Sequence, residues 1–237
     1  MISIGENGLK IWHIGCTHMK HDQLEIPNNI DIVLHSGDYT NNSIPHINEK
    51  EYEEFLHWVY TNLGHIPLKI FTPGNHSTFE YTEPKRATQM AQDVGIELLI
   101  DEHTVVDGIK IFASPYTPTF GRWSFMVERD KMRKRWDNLI DNDVDILLTH
   151  GPAKGILDLT RQYGDNTLTQ VGDKALSNRI KKLKNLKLHC FSHIHSTQSI
   201  DNTGVLLRDG VYYSNASAVK DGEIAKGIQF NGNLFTI

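Results

Sequence analysis

Thr72-Pro73-Gly74-Asn75-His76 is the stretch on which the reading of this chain turns. It follows Leu68 to Phe71, a run whose apolar character predicts a buried strand. Pro73 and Gly74 then force a sharp turn. Asn75 and His76 emerge side by side where the strand stops, the edge at which open α/β sheets bind ligands. Asn offers a neutral oxygen ligand, and His an acid, a base or a nitrogen donor. Taken alone, the same five residues also suit an ordinary strand-to-helix turn. Other strand ends decide between the two readings.

Working outward, Ile2 to Ile4 and Leu9 to Ile14 flank Glu6-Asn7-Gly8, which predicts a hairpin. The second of these runs leads into Gly15-Cys16-Thr17-His18. Ile30 to Leu34 leads into His35-Ser36-Gly37-Asp38. Asp145 to Thr149 ends in His150-Gly151-Pro152, and Leu186 to Phe191 delivers Ser192-His193-Ile194-His195. Helices are expected over 49–63, 84–95, 128–140 and 172–184; Phe55, Trp58, Val59 and Leu63 recur at helical spacing in the first, and Pro84 and Gly95 bound the second. Shorter strands are expected at 96–100, at 104–113 around an Asp107-Gly108 turn, and near 204–207, 211–214 and 226–230. Residues 114–124 form a loop rich in aromatics, with Tyr116, Phe120 and Trp123 able to stack on a base or to pack within the loop. Residues 153–169 form a polar loop. Strands and helices interleave with no linker or repeat, which predicts one α/β domain over 1–237.

The 237 residues suffice for a sizeable core. Hydrophobic residues make up 39% and charged residues 22%, the balance of a globular chain. A formal net charge of −5 creates no field that would draw nucleic acid or an anionic membrane. Arg129, Lys131, Lys134 and Arg135 read as the solvated face of a helix rather than a nucleic-acid surface. No apolar run is long enough to span a bilayer, and no secretory signal opens the chain, so a cytoplasmic location is expected. Two cysteines, Cys16 and Cys190, do not describe a disulfide framework, and Cys190 reads as core.

The strand ends together supply Cys16, His18, Asp38, Asn75, His150, His193 and His195. A divalent ion needs several N, O or S donors at about 2.0–2.3 Å. Two ions about 3.5–4 Å apart can share a bridging carboxylate and clamp a phosphoryl group. In order and spacing the set resembles the calcineurin-like metallophosphoesterases, whose pattern is Asp-x-His, Gly-Asp, Gly-Asn-His-Asp/Glu, a later His, and Gly-His-x-His. The stretch from Pro115 to Trp123, LLTHGPAKGILD at 147–158 and Ser214-Asn215-Ala216-Ser217 resemble its MPPED-type branch, which includes cyclic-nucleotide phosphodiesterases. The resemblance covers nearly the whole chain. It implies a four-layer αββα sandwich of two mixed sheets flanked by helices. It implies two divalent metal ions, manganese, iron or zinc, one held by Cys16, His18, Asp38 and His195 and the other by Asp38, Asn75, His150 and His193. Asp38 would bridge, a metal-bound hydroxide would attack, and His76 would stabilise or protonate the reacting phosphoryl group.

Three positions depart from the family pattern. Cys16 stands in place of Asp; as a thiolate it favours zinc or iron over magnesium, and as a mere packing residue it would leave the first site weak. Ser77 replaces the usual acid, and Ser192 replaces the first Gly of Gly-His-x-His, which would narrow the site. The expected function is hydrolysis of small, nucleotide-like phosphate esters, with Arg122 or Arg161 as candidates to meet phosphate. The alternatives are a nuclease, a phosphomonoesterase or protein phosphatase of the same fold, and a member that binds nucleotide or metal without turnover.

Overall fold

The computed structural model describes residues 1–5, 8–161 and 167–237. In chain order its strands begin with β1 (Ile2–Ser3), β2 (Lys10–Ile14), β3 (Ile32–His35), β4 (Leu68–Phe71), β5 (Glu97–Leu98), β6 (Glu102–Val106), β7 (Ile109–Ser114), β8 (Thr117–Pro118) and β9 (Met126–Val127). They continue with β10 (Ile146–Thr149), β11 (Leu159–Arg161), β12 (Leu168–Gln170), β13 (Leu188–Phe191), β14 (Gly204–Arg208), β15 (Val211–Asn215) and β16 (Asn233–Thr236). The helices are α1 (Pro45–Leu63), α2 (Thr78–Thr82), α3 (Pro84–Asp93), α4 (Met132–Leu139) and α5 (Lys174–Ile180).

One sheet runs β1-β16-β2-β3-β4-β5 and the other β14-β15-β13-β10-β7-β6, each mixing parallel and antiparallel pairs. Their central strands are apolar almost throughout because both faces are covered. Alternation along the pleat sorts the side chains. Ile11, Ile32, Leu34 and Ile70 of the first sheet meet Ile111, Ile146, Leu148, Leu188 and Cys190 of the second in a middle core. Trp12, Val33 and Phe71 face the other way, onto Tyr52, Phe55 and Val59 of α1, Phe79 of α2 and Ala87 of α3. Phe112, Leu147 and Phe191 face Met132 and Trp136 of α4 and Leu176 and Ile180 of α5. Three cores between four layers make the expected αββα sandwich. Each such side chain contributes about 1.5–3 kcal/mol on burial.

The hairpin expected at the N-terminus is corrected. β1 does not pair with β2; β16 lies between them, parallel to β1 and antiparallel to β2. Phe235 explains the choice: it is fully buried in the middle core, where a β1–β2 hairpin would leave no place for it. Asn7, on which the hairpin reading rested, lies outside the described residues. The strand expected at 226–230 is likewise absent. A 3-10 turn covers Ile224–Lys226, Gly227 takes a left-handed φ of 86°, and the final strand starts at Asn233. α5 begins at Lys174 because Asp173 caps it, its carboxylate accepting from Ala175 N at 2.8 Å. The 104–113 hairpin forms as expected, and the polar loop at 153–169 contains β11 paired with β12. Among the described residues no helix is long and apolar enough to cross a membrane.

α2, unforeseen, carries Glu80 into the first core, where burial raises its pKa from 4.5 to about 7 against the opposing pull of Tyr39 and Ser77. The folded carboxyl therefore keeps its proton between these values while the unfolded one loses it, so stability falls as pH rises through this window. Glu80→Gln removes the titration. It is expected to exceed the parent in urea-unfolding stability at pH 8 by about 1–3 kcal/mol, and to show no such advantage at pH 4.5. A difference equal at both pH values would assign the effect to another cause.

Candidate metal centre

β2, β3 and β4 are parallel neighbours, and so are β10 and β13, so their exit loops gather at one edge of the sandwich. The loop after β2 runs against the loop after β3: Cys16 N donates to Gly37 O at 2.8 Å and His18 N to Asp38 O at 3.0 Å. To make these bonds the chain bends into the left-handed region at Cys16 (φ 46°), His18 (φ 42°) and Asp38 (φ 55°); His193 (φ 52°) does the same after β13. Such conformations cost L-residues roughly 1–2 kcal/mol each, and they recur at candidate site residues. Gly74 is required for close approach, since a Cβ there would collide with the Asp38 carboxylate. Gly37 is required twice over, by φ 99° and by the Pro73 carbonyl and His150 ring against it.

The structure brings the predicted residues into two overlapping groups. Donor atoms of Cys16, His18 and His195 lie within 4.8 Å of one another, and so do those of Cys16, Asp38 and His150. All five side chains are buried. His18 Nε2 and His195 Nε2 face each other at 3.4 Å. His150 Nδ1 donates to Ser36 O at 2.8 Å, which leaves Nε2 directed at Asp38 Oδ2 (3.2 Å) and Asn75 Oδ1 (2.9 Å). Three electron-rich atoms meeting at one point, and two imidazole nitrogens at another, require a proton or a cation between them. A thiolate, a carboxylate and imidazoles suit a divalent ion of intermediate softness. His193 stands apart: it is half-buried, its ring packs 4.8 Å from that of His150, and its nitrogens belong to neither group.

Electrostatics follow the same geometry. Burial alone would raise the Cys16 thiol, but His195 beside it and hydrogen bonding from His18 and His195 hold it well below the ordinary range. Burial likewise opposes ionisation of Asp38, yet His150 and His76 hold it well below the usual carboxylate range. His150, which burial would lower, is raised to about 9, chiefly by Asp38.

His76 is half-buried beside this cluster. Its backbone N donates to Asp38 Oδ1 (2.8 Å), and its Nδ1 donates to Asn41 O (2.7 Å). Nε2 is then the nitrogen left for other work. Two residues that sequence reasoning missed complete the support. Asn48, fully buried on α1, donates to His76 O (2.8 Å) and accepts from Phe79 N (2.8 Å). Asp221 Oδ1 lies 2.9 Å from His195 Nδ1, turning the opposite edge of that ring toward Cys16 and His18. A buried Asn in an amphipathic helix is a weak signal for the first, and nothing local marks the second.

The departures resolve individually. Ser77 Oγ accepts from Gly74 N at 3.2 Å and so braces the turn. Ser192 is fully buried with its hydroxyl on Ser36 O at 3.2 Å, so the narrowing expected of it does not occur at the open side. Cys190 is core. Of the basic helix face, Arg135 is engaged internally, paired with Asp101 and stacked on Tyr116.

Comparison with known proteins agrees with this geometry. The family described as calcineurin-like phosphoesterase matches residues 9–197. The chain is 30% identical over 226 residues to the human metallophosphoesterase domain-containing protein 1, covering 85% of this chain and 63% of that protein. It is 26% identical over 226 residues to a UPF0046 protein of Caenorhabditis elegans, covering 90% of this chain and 71% of the relative. It thus spans less than two thirds of the human relative's length. Among solved structures, TT1561 of Thermus thermophilus superposes with a TM-score of 0.58 at 12% identity, covering 90% of this chain and 92% of that one, a likeness of fold. With that match spanning most of the chain and both donor groups gathered at the strand ends, this protein belongs to the calcineurin-like phosphoesterase family.

Proposed function

We propose that the chain forms one domain over residues 1–237 and is a metal-dependent phosphodiesterase of small, nucleotide-like phosphate esters, cyclic nucleotides among them. The observation that carries the proposal is the overlap of the two donor groups, with Cys16 common to both and Asp38 beside His150 and His76. Cys16, His18 and His195 would hold one divalent ion and Asn75 and His150 the other, with Asp38 between them. His193, outside both donor groups but packed against the His150 ring, would join the second by turning its ring inward. Manganese, iron or zinc would suit these donors. When bound, such a pair supplies Lewis acidity and lowers the pKa of water toward neutrality. The chain's own part is positional. The Asn41 carbonyl holds the Nδ1 proton of His76, which leaves Nε2 to give a proton to the leaving oxygen.

Elemental analysis together with hydrolysis of bis(p-nitrophenyl) phosphate and p-nitrophenyl phosphate tests the reading. Two equivalents of metal and a preference for the diester are expected. Preference for the monoester would indicate a phosphomonoesterase. Nucleotide binding without turnover under several metals would indicate a binding protein, the reading that Cys16 in place of Asp motivates.

Two further results are expected. Cys16→Asp supplies a harder oxygen donor and should shift preference toward manganese or magnesium while metal content stays at two; a rise from one to two would show that Cys16 is no ligand. Asp221→Ala should weaken cation binding by about 10–100-fold, since it removes the acceptor that holds His195 Nδ1. Titration with manganese followed by calorimetry measures this without turnover, and an unchanged affinity would remove Asp221 from the site.

A further inference from the structure

The three aromatics of the 114–124 loop separate into different roles. Tyr116 is packed, its ring edge-on to Phe125 at 5.3 Å and under Arg135. Phe120 and Trp123 remain 52% and 39% exposed, and each lies against a different site imidazole. Trp123 is 4.5 Å from the His76 ring, and Phe120 is 5.1 Å from that of His193. The loop is pinned where it stands. β8 pairs with β9 across its base, Thr117 N donates to Phe125 O (3.0 Å), and Ser124 N donates to Asn75 O (3.2 Å). Packing accounts for Tyr116 and leaves two large, partly exposed apolar rings, one beside His76 and the other beside His193.

The two sides differ. Behind His193 and His195 opens a cavity of about 330 Å³, walled by Phe120, Pro118, Pro152 and Val171, with Arg129 at its rim. The guanidinium makes a long contact to Val171 O at 3.5 Å and lies in the field of the Asp173 carboxylate. This volume stands at the small end of the ~300–1,000 Å³ range of small-molecule sites, room for one nucleoside-sized group. The apolar walls, one guanidinium and the carboxylates of Asp173 and Asp221, which also line the cavity, suit a flat heterocycle that offers both acceptor oxygens and N–H donors. Trp123, by contrast, stands beside the histidine that would protonate the leaving oxygen.

We infer that the loop divides the site into two unequal subsites: Trp123 stacks on the leaving group of a diester, and the Phe120–Arg129 cavity holds the nucleoside half that is retained as the monoester. The inference rests on the phosphodiesterase reading above. In the reaction, the oxygen of water forms a bond to phosphorus and its proton passes to solvent, and the bond from phosphorus to the leaving oxygen breaks. The imidazolium of His76 supplies from Nε2 the proton that this oxygen takes up, and is reprotonated from solvent afterwards. In-line displacement sends the leaving group toward His76, and hence Trp123. The retained ester oxygen stays on phosphorus and extends toward His193 and Phe120.

The test uses two esters with the same leaving group, the p-nitrophenyl ester of thymidine 5′-monophosphate and methyl p-nitrophenyl phosphate. In Phe120→Ala and Arg129→Ala, the ratio of kcat/KM for the thymidine ester to that for the methyl ester should fall about 5–100-fold, the range of one base–aromatic stack. In Trp123→Ala both values should fall together and the ratio should hold. Loss of the ratio in Trp123→Ala, or its persistence in both cavity variants, overturns the assignment. If the parent hydrolyses neither ester, the phosphodiesterase reading fails on its own account. Calorimetric binding of thymidine 5′-monophosphate to the metal-loaded protein then decides the cavity: binding lost in Phe120→Ala upholds the subsite, and binding unaltered or absent in the parent removes it.

Discussion

Asp38→Asn should lower kcat by about 10³-fold or more and leave less than two equivalents of metal bound, while the fold survives. Two cations about 3.5–4 Å apart repel strongly, and a shared carboxylate is what makes their proximity tolerable. An amide keeps the shape and can still accept from His76 N, which Asp38 Oδ1 now does at 2.8 Å. It removes the charge that faces His150 at 3.2 Å. A loss of several kcal/mol of transition-state stabilisation corresponds to the stated factor. Elemental analysis, turnover on a diester and circular dichroism read the three parts separately. Unchanged turnover at full metal occupancy would sink the bridging role. Asp38→Ala should show the same losses and, in addition, a less stable turn, because His76 N then has no acceptor.

His76→Ala should behave in the opposite way, keeping its metal and losing about 10²–10⁴-fold in rate, the usual worth of a positioned acid or base. The ring is half-buried and lies outside both converging donor groups. Its backbone, held by Thr40, Asn48 and Asp38, does not depend on the side chain. The loss should appear in kcat rather than KM, and it should be smaller for esters whose leaving group is a weak base and needs no proton. If metal is lost along with rate, His76 is a ligand and the role assigned to it is wrong.

How far the chain could be read in advance varies by element. β3, β4, β10 and β13 were legible because a strand buried on both faces is apolar along most of its length, a property of four or five adjacent residues. The β6–β7 hairpin was legible because Asp107-Gly108 carries its own turn geometry. The candidate residues at five strand ends were legible because parallel strands deliver their exit loops to one edge. Abundance of histidine was less informative. His13 and His189 lie inside strands and His35 closes β3, all as buried rings whose pKa values burial lowers and none of them in either donor group. His13 spans Ser214 and Ser36 as a structural polar contact.

By itself, then, the amino-acid sequence determined the five strands that lead to the site, the turns after them, and the identities of Cys16, His18, Asp38, Asn75, His76, His150, His193 and His195 at the turns. Local sterics and the period of burial act over a few residues, and a few residues suffice to read them. Only the tertiary structure decided that β16 enters between β1 and β2, that Cys16 belongs to both donor groups, that Asp221 backs His195, and that Phe120 and Trp123 lie against different histidines. Those outcomes depend on which surfaces bury best against segments far away along the chain, as Phe235 against Ile11 illustrates. Neither propensity nor periodicity carries that information, because the partner that settles each contact is absent from the local window.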